Sequence, residues 1–322
     1  MGAPTASRGS SAERVAPLVW AALAVGAALL AAVLAQAAGI TLAATALRAL
    51  TDAAAVACVG LGLVTVLVPT SARDARGTTV IRRGDRATVV VAGVWLAAVL
   101  VSVAVRSAEA VGRPLGALTA GDVGAFVTRV AAGRGTVLTA LCAAAVLGCA
   151  VARMRSPESV PGRVVLVAAL LGSLTPAVTG HTGSSPEHSL AVVTVAFHVG
   201  AAALWVGGLG VLLLLVAPHR ALLDRGLPRF SRIATVCLVG TALTGVANAV
   251  LRLPVLGDLF TSSYGALILV KTGLVVVLAL LGGLARRRLQ RGTLPVLRWA
   301  GVEVTVMAVT IGIAAALSQT AP

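Results

Sequence analysis

Long uncharged apolar runs recur along this chain, separated by short polar joints. Such a surface needs hydrocarbon around it. A backbone in hydrocarbon must satisfy its hydrogen bonds internally, which leaves helices or closed barrels. A spanning helix needs about 20 apolar residues. Nine runs meet that need: 16–39, 52–69, 87–107, 135–153, 162–180, 189–217, 231–251, 264–285 and 296–318. They are rich in Ala, Val, Leu and Gly and show no alternation of barrel type, so they read as helices. Their small residues suit close helix–helix approach in lipid. Charged residues make up 11% of the chain, where a water-soluble domain carries roughly a quarter. The predicted fold is an all-α polytopic membrane bundle of about nine transmembrane helices, with the lipid bilayer as its first partner.

The net charge of +15 falls unevenly. Arg73, Arg76, Arg82, Arg83 and Arg86 separate the second and third runs, and Arg153, Arg155 and Arg163 surround the fourth-to-fifth turn. Arg220, Arg225, Arg229 and Arg232 separate the sixth and seventh, and Arg286, Arg287, Arg288, Arg291 and Arg298 the eighth and ninth. The alternate joints hold Arg48, Arg106, Arg113, Arg129, Arg134 and Arg252. Cationic joints stay cytoplasmic, so the N-terminus is expected inside and, after nine crossings, the C-terminus outside. Topology thus accounts for the charge, and nucleic acid is not expected as a partner.

Residues 1–14 read as a disordered cytoplasmic leader. The first run is longer than the 7–15 residues of a signal-peptide core and reads as a retained helix. Ala6 stands where a myristoylation signal needs Ser or Thr. A polar turn at Ser156-Pro157-Glu158-Ser159 divides an N-terminal four-helix part, 15–155, from a C-terminal five-helix part, 160–322. Between the third and fourth runs, Asp122 to Arg134 carries Val123, Phe126, Val127 and Val130 on one side and is expected to form a short interfacial helix. Cys58, Cys142, Cys149 and Cys237 lie within runs and make no Cys-x-x-Cys unit, so they read as small apolar packing.

Polar groups that hydrocarbon disfavours point to function. At about 1.5 Å per residue, His198 lies roughly 13 Å and Lys271 about 10 Å below the outer surface. Met307 lies about 17 Å from the inner surface, near the level of His198, and Glu303 about 10 Å from it. Asp52 opens the second run at the outer rim. His181 and His188 lie in the loop between the fifth and sixth runs, so three of four histidines belong to one loop–helix unit, while His219 sits at the cytoplasmic edge. Imidazole and thioether together suit copper, as Cu+ or Cu2+, and His181, His188, His198 and Met307 would offer ligands at successive depths. Two histidines could instead hold haem axially. Each residue also has a structural use: His198 as an interhelical hydrogen bond, Met307 as packing, Lys271 as a snorkelling cation. A cation repels copper, so Lys271 is no ligand. Gly207-Gly208 beside Trp205 would admit a neighbouring helix in mid-span.

The C-terminal half resembles the copper resistance protein D (CopD) family of bacterial inner-membrane proteins. The likeness is carried by His198-Val199-Gly200 through Trp205-Val206-Gly207-Gly208-Leu209, Arg229-Phe230-Ser231-Arg232, Thr244-Gly245-Val246-Ala247-Asn248-Ala249 and Tyr264-Gly265 through Val270-Lys271. Glu303, the end Ser318-Gln319-Thr320-Ala321-Pro322 and the upstream Gly180-His181 also fit. The resemblance implies copper movement across the bacterial cytoplasmic membrane, usually described as uptake, with a role in copper homeostasis or resistance and no enzyme activity. It also implies a CtaG-like oxidase assembly protein, and with it an extracytoplasmic copper chaperone, as partners. Asp52, Trp205, Asn248, Tyr264, Lys271 and Glu303 would line the path or support it. No phosphate-binding loop of the Gly-x-x-x-x-Gly-Lys-Ser/Thr type is present, so the path is expected to run without ATP. The rival readings are a haem-binding membrane oxidoreductase using His181 and His198, and a copper-delivery partner in cytochrome oxidase assembly.

Overall fold

A computed structural model of the chain describes residues 42–68, 74–179, 186–252, 257 and 263–290. The described residues are helical, with no strand among them. In chain order the helices are α1 (Leu42–Leu67), α2 (Ala75–Val111), α3 (Ala120–Arg129), α4 (Ala131–Arg155), α5 (Gly162–Thr179), α6 (Pro186–Val211), α7 (Arg220–Arg252) and α8 (Ser263–Gln290). Among the described residues, five segments are long and apolar enough to cross a membrane: Ala46–Leu67, Ala75–Val111, Ala131–Arg155, Val192–Val216 and Arg220–Ala247. The shorter apolar stretches Gly162–Pro176 and Ile268–Val277 fall within α5 and α8. The first and ninth expected spans lie outside the described residues. The chain divides into two compact units, 43–270 with 321–322, and 1–42 with 271–320. The bundle described below is the first of these.

Helix ends do not coincide with the ends of the apolar runs. Arg76, Arg82, Arg83 and Arg86 lie inside α2, and Arg225, Arg229 and Arg232 inside α7, where the sequence pattern put joints. A helix keeps its hydrogen bonds whether hydrocarbon or headgroups surround it, so charge marks the edge of the apolar layer and not the end of the coil. Capping sets the end. Asp74 Oδ1 accepts from the amides of Arg76 and Gly77 at 3.1 and 2.9 Å. At the far end Gly112 takes the left-handed conformation, φ 68°, and its amide reaches Glu109 O. Likewise α1 begins ten residues before Asp52, which therefore sits inside the helix and not at its start.

The expected short helix forms as α3, two residues earlier than its apolar pattern and ending at Arg129. Thr119 and Asp122 make a capping box. Val130 is extended and opens α4, so the segment breaks where the pattern continued. Phe126 is buried, and the α3 backbone at Phe126 touches Gly133 of α4. This helix is thus docked on its neighbour.

One core joins the helices of the bundle. Cys58 and Val59 of α1 meet Ala92, Trp95 and Val99 of α2, Ala143 and Val146 of α4, Val165 and Ala169 of α5, and Ala203 of α6. Close packing replaces the hydrophobic effect as the force between helices in lipid, and glycine makes the closest approaches. A β-carbon on Gly60 of α1 would strike the carbonyl of Gly207 of α6. A β-carbon on Gly207 would strike Val56 O and lie 2.8 Å from Gly60 N. One on Gly208 would lie 2.9 Å from the Phe230 ring of α7. Outward-facing residues are apolar: Leu214 is 78% exposed and Val236 72%, as a lipid-facing surface requires.

One end of the bundle holds a buried ion pair. Arg153 of α4 donates from Nε to Asp85 Oδ1 of α2 at 2.8 Å and from Nη2 to Oδ2 at 3.2 Å. Its Nη1 donates to Val160 O at 2.7 Å, fixing the turn between α4 and α5. A small pocket lined by Thr65, Gly84, Thr88 and Gly162 adjoins the pair. The sequence pattern counted Arg153 among the cations of a cytoplasmic joint; its side chain is 5% exposed.

Candidate functional site

Helix α6 carries two of the candidate residues, His188 and His198. The sequence run 189–217, most of which lies in α6, has 29 residues and no charged side chain, and His198 is its one imidazole. An ionisable ring in such a run must find a polar neighbour or face a cavity. The helical period settles which side it takes. Phe197 is 69% exposed, on the lipid side, while His198 is half-buried against α7.

The geometry there is specific. His198 Nδ1 lies 3.1 Å from Thr244 Oγ1 of α7. Thr244 Oγ1 in turn donates to Gly240 O of its own helix at 2.6 Å, with Thr241 O at 3.3 Å. The ring edge rests over Gly245: a β-carbon there would lie 3.6 Å from His198 Cε1. The interhelical hydrogen bond expected of a structural histidine is therefore present. Trp205, two turns along α6, is buried.

His188 lies in the first turns of α6, ten residues before His198. That separation is about 15 Å along the axis and about 80° around it. One ion cannot bind both. Asn248 follows Thr244 by one turn of α7, and Tyr264 and Lys271 lie in α8. His181, Glu303 and Met307 lie outside the described residues. Among the described residues, no three His, Cys, Asp or Glu side chains converge as a metal cluster.

Asp52 is committed elsewhere. Arg48 Nε donates to its Oδ2 at 2.8 Å within α1, and Arg106 and Glu109 of α2 lie in the same electrostatic group. Asp85 and Arg106 are 21 residues apart on α2, about 32 Å along its axis, close to the thickness of a hydrocarbon core. Sequence reasoning missed Asp85 and the role of Thr244. A lone acid beside arginines gave no sign of its partner, and Thr244 drew notice through its motif alone.

The comparisons with known proteins agree on copper. The sequence profile described as copper resistance protein D matches residues 224–317. A second, described as copper resistance protein D-like, N-terminal domain, matches 39–187. His181 falls in the second stretch, Asn248, Tyr264, Lys271, Glu303 and Met307 in the first, and His188 and His198 between them. The chain is 30% identical over 147 residues to the copper transport protein CutJ of Bacillus subtilis (strain 168). That match covers 42% of this chain and 27% of the relative. No solved structure matches the chain.

Proposed function

We propose that this chain, which belongs to the copper resistance protein D family, carries copper ions across the bacterial cytoplasmic membrane, inward and without ATP. It is a copper-related, multi-pass membrane protein; direction and route are the proposal. The observation that carries the route is His198, an imidazole held between α6 and α7 inside an uncharged apolar run. Imidazole nitrogen binds Cu+ and Cu2+. A site with few ligands releases its ion more readily than a closed cluster, as passage requires.

In this reading His181 and His188 receive copper at the outer mouth. His198 and Met307 form the mid-membrane station, and the ion leaves past Glu303. The five-helix part 160–322 carries the path and the four-helix part 15–155 frames it. Inward movement of a cation is favoured by about 2.3 kcal/mol per charge per 100 mV of potential, which supplies a driving force without nucleotide. The activity is transport and not catalysis.

The test compares cells lacking the gene, cells expressing the wild type and cells expressing His198→Ala at matched membrane levels. Cytoplasmic copper is measured by mass spectrometry after a pulse of external copper. The wild type should raise the rate of accumulation and His198→Ala should return it to the deletion level. Wild-type accumulation in the variant would remove His198 from the route.

A further inference from the structure

The outward side of α2 changes chemistry along its length while the helix runs on. At about 100° per residue, Arg83, Val90, Val94 and Val101 fall within about 40° of one another around the axis, and all four are exposed. The opposite side carries Val80, Ile81, Gly84, Thr88 and Trp95, which are buried. One stripe therefore faces outward throughout, valine where lipid tails lie and arginine beyond. Arg86 stands one turn before Val90 beside this stripe, and Arg76 and Arg82 are exposed on the same stretch. The acids of the stretch are engaged elsewhere: Asp74 caps the helix and Asp85 turns inward to Arg153. Among the described residues, none of Arg76, Arg82, Arg83 and Arg86 takes part in an ion pair.

Helix α7 repeats the pattern. Arg232, Val236, Val239, Leu243 and Val250 fall within about 60° of one another, and all are exposed. Arg229, one turn before Arg232, is exposed too. The single acid of α7, Asp224, lies about 12 Å along the axis before Arg232. The two arginine stretches stand at one level of the bundle. A β-carbon on Gly226 of α7 would lie 3.2 Å from Leu67 O at the end of α1, and one on Gly84 of α2 would lie 3.3 Å from Val64 Cγ2, a turn earlier on α1.

A lipid whose tails lie on such valines has its phosphate at the height where the stripe turns basic. A guanidinium offers a planar fork of donors that matches two phosphate oxygens and keeps its charge. A zwitterionic headgroup brings its own cation to the arginines, and an anionic headgroup does not. We propose that the arginine faces of α2 and α7 bind the phosphodiester headgroups of anionic phospholipids in the leaflet at this end of the bundle. Each lipid is held at both ends, its phosphate by Arg83 and Arg86 or by Arg229 and Arg232, its tails on the valines that follow. An acidic protein or a nucleic acid would meet the same charge, but the apolar continuation of each stripe fits neither.

The experiment titrates the full chain, in neutral detergent, with phosphatidylglycerol or with phosphatidylcholine of the same acyl chains, and follows bound lipid by native mass spectrometry. An arginine near an anionic surface contributes about fivefold in affinity, so a pair contributes about 25-fold. The wild type should prefer phosphatidylglycerol by about that factor. Arg83→Gln/Arg86→Gln and Arg229→Gln/Arg232→Gln should each remove the preference at one face, and the combined variant should bind the two lipids alike. Its retained binding of phosphatidylcholine reports that it is folded. Arg129→Gln/Arg134→Gln removes the same charge at the other end, Arg134 lying about 28 Å along α4 from Arg153, and should leave the preference intact.

Equal affinity for the two lipids in the wild type would overturn the proposal, and that measurement needs no variant. So would an equal loss in Arg129→Gln/Arg134→Gln, which would make the preference one of net charge. If glycerol phosphate or a short DNA duplex displaced the lipid at equal concentration, the arginines would serve a soluble anion and the lipid assignment would fall.

Discussion

Replacing Arg153 by methionine should destabilise the bundle more than any change at an exposed arginine. The side chain is 5% exposed and its carboxylate partner, Asp85, 13%. Removing one member of a buried pair costs about 3–5 kcal/mol, because the other charge is stranded. Arg153→Met strands two groups, the Asp85 carboxylate and the Val160 carbonyl that Nη1 reaches at 2.7 Å. An orphaned carbonyl adds roughly 1 kcal/mol, which puts this variant at the upper end of the range, about 5 kcal/mol. Asp85→Leu leaves the guanidinium bonded to Val160 O, so it belongs near the lower end, about 3 kcal/mol. The double variant leaves no unpaired charge and orphans the carbonyl alone, so its cost should fall to about 1–2 kcal/mol.

The assay is unfolding by sodium dodecyl sulfate in mixed micelles, followed by tryptophan fluorescence. Trp95 lies in the core that this ion pair closes and is a suitable reporter. The decisive quantity is the coupling: the double variant should be at least 3 kcal/mol more stable than the sum of the singles predicts. Independent sites add to within about 0.5 kcal/mol. If the two singles simply added, or if Arg153→Met cost less than about 1 kcal/mol, Arg153 would be one more solvated cation, and the clamp between α2, α4 and the 156–161 turn would not exist.

Two further perturbations test the packing and the cap. Gly207→Val forces a side chain into the backbone of α1 at Val56 and Gly60, and should cost about 3 kcal/mol or more because main chain cannot move aside. Gly240→Ala, whose β-carbon meets nothing closer than Ala201 Cβ at 3.9 Å, should change stability by less than about 0.5 kcal/mol. Equal loss in the two by thermal proteolysis would refute the close approach of α1 and α6. Asp122 is held below the ordinary carboxylate range by the Thr119 hydroxyl, then the Thr119 amide, with Arg113 adding to the effect. A depressed folded value means its contribution to α3 is complete above the unfolded value near 3.9 and is lost as pH falls through the lower folded one. In Thr119→Ala the carboxyl 13C titration should move up toward the unfolded value. An unmoved midpoint would remove the capping box as the cause.

The helices were legible because hydrocarbon leaves little choice: uncharged runs of sufficient length must coil. The place of His198 was legible for the same reason, and Gly207-Gly208 were readable as a contact because two glycines in mid-span have little other use. Their partner was not. Gly60 sits in an ordinary alanine- and glycine-rich run, and nothing local marks it as the residue that meets Gly207. Arg153 misled for a related reason. A tally of arginines by joint treats each as solvated, and a partner 68 residues away, Asp85, leaves no trace in the local pattern. Helix ends were displaced because charge reports where the apolar layer stops, while Asp74 and Gly112 decide where the coil stops.

Spacing on α6 limits how the proposed passage can work. His188 and His198 lie about 15 Å apart on one axis, so a copper ion held by one has left the other. Between them α6 offers Ser189 and Thr194 as its polar side chains, both hard oxygen donors. Soft or borderline copper favours nitrogen and sulfur over such oxygens, so α6 alone provides no intermediate station. A second element must bridge the gap, or the two ends of α6 must bind in different states of the bundle. The packing favours the first option: sliding α6 by one turn would carry Ala203 or Val211 to the place of Gly207 against the α1 backbone, where a β-carbon would strike Val56 O and Gly60 N.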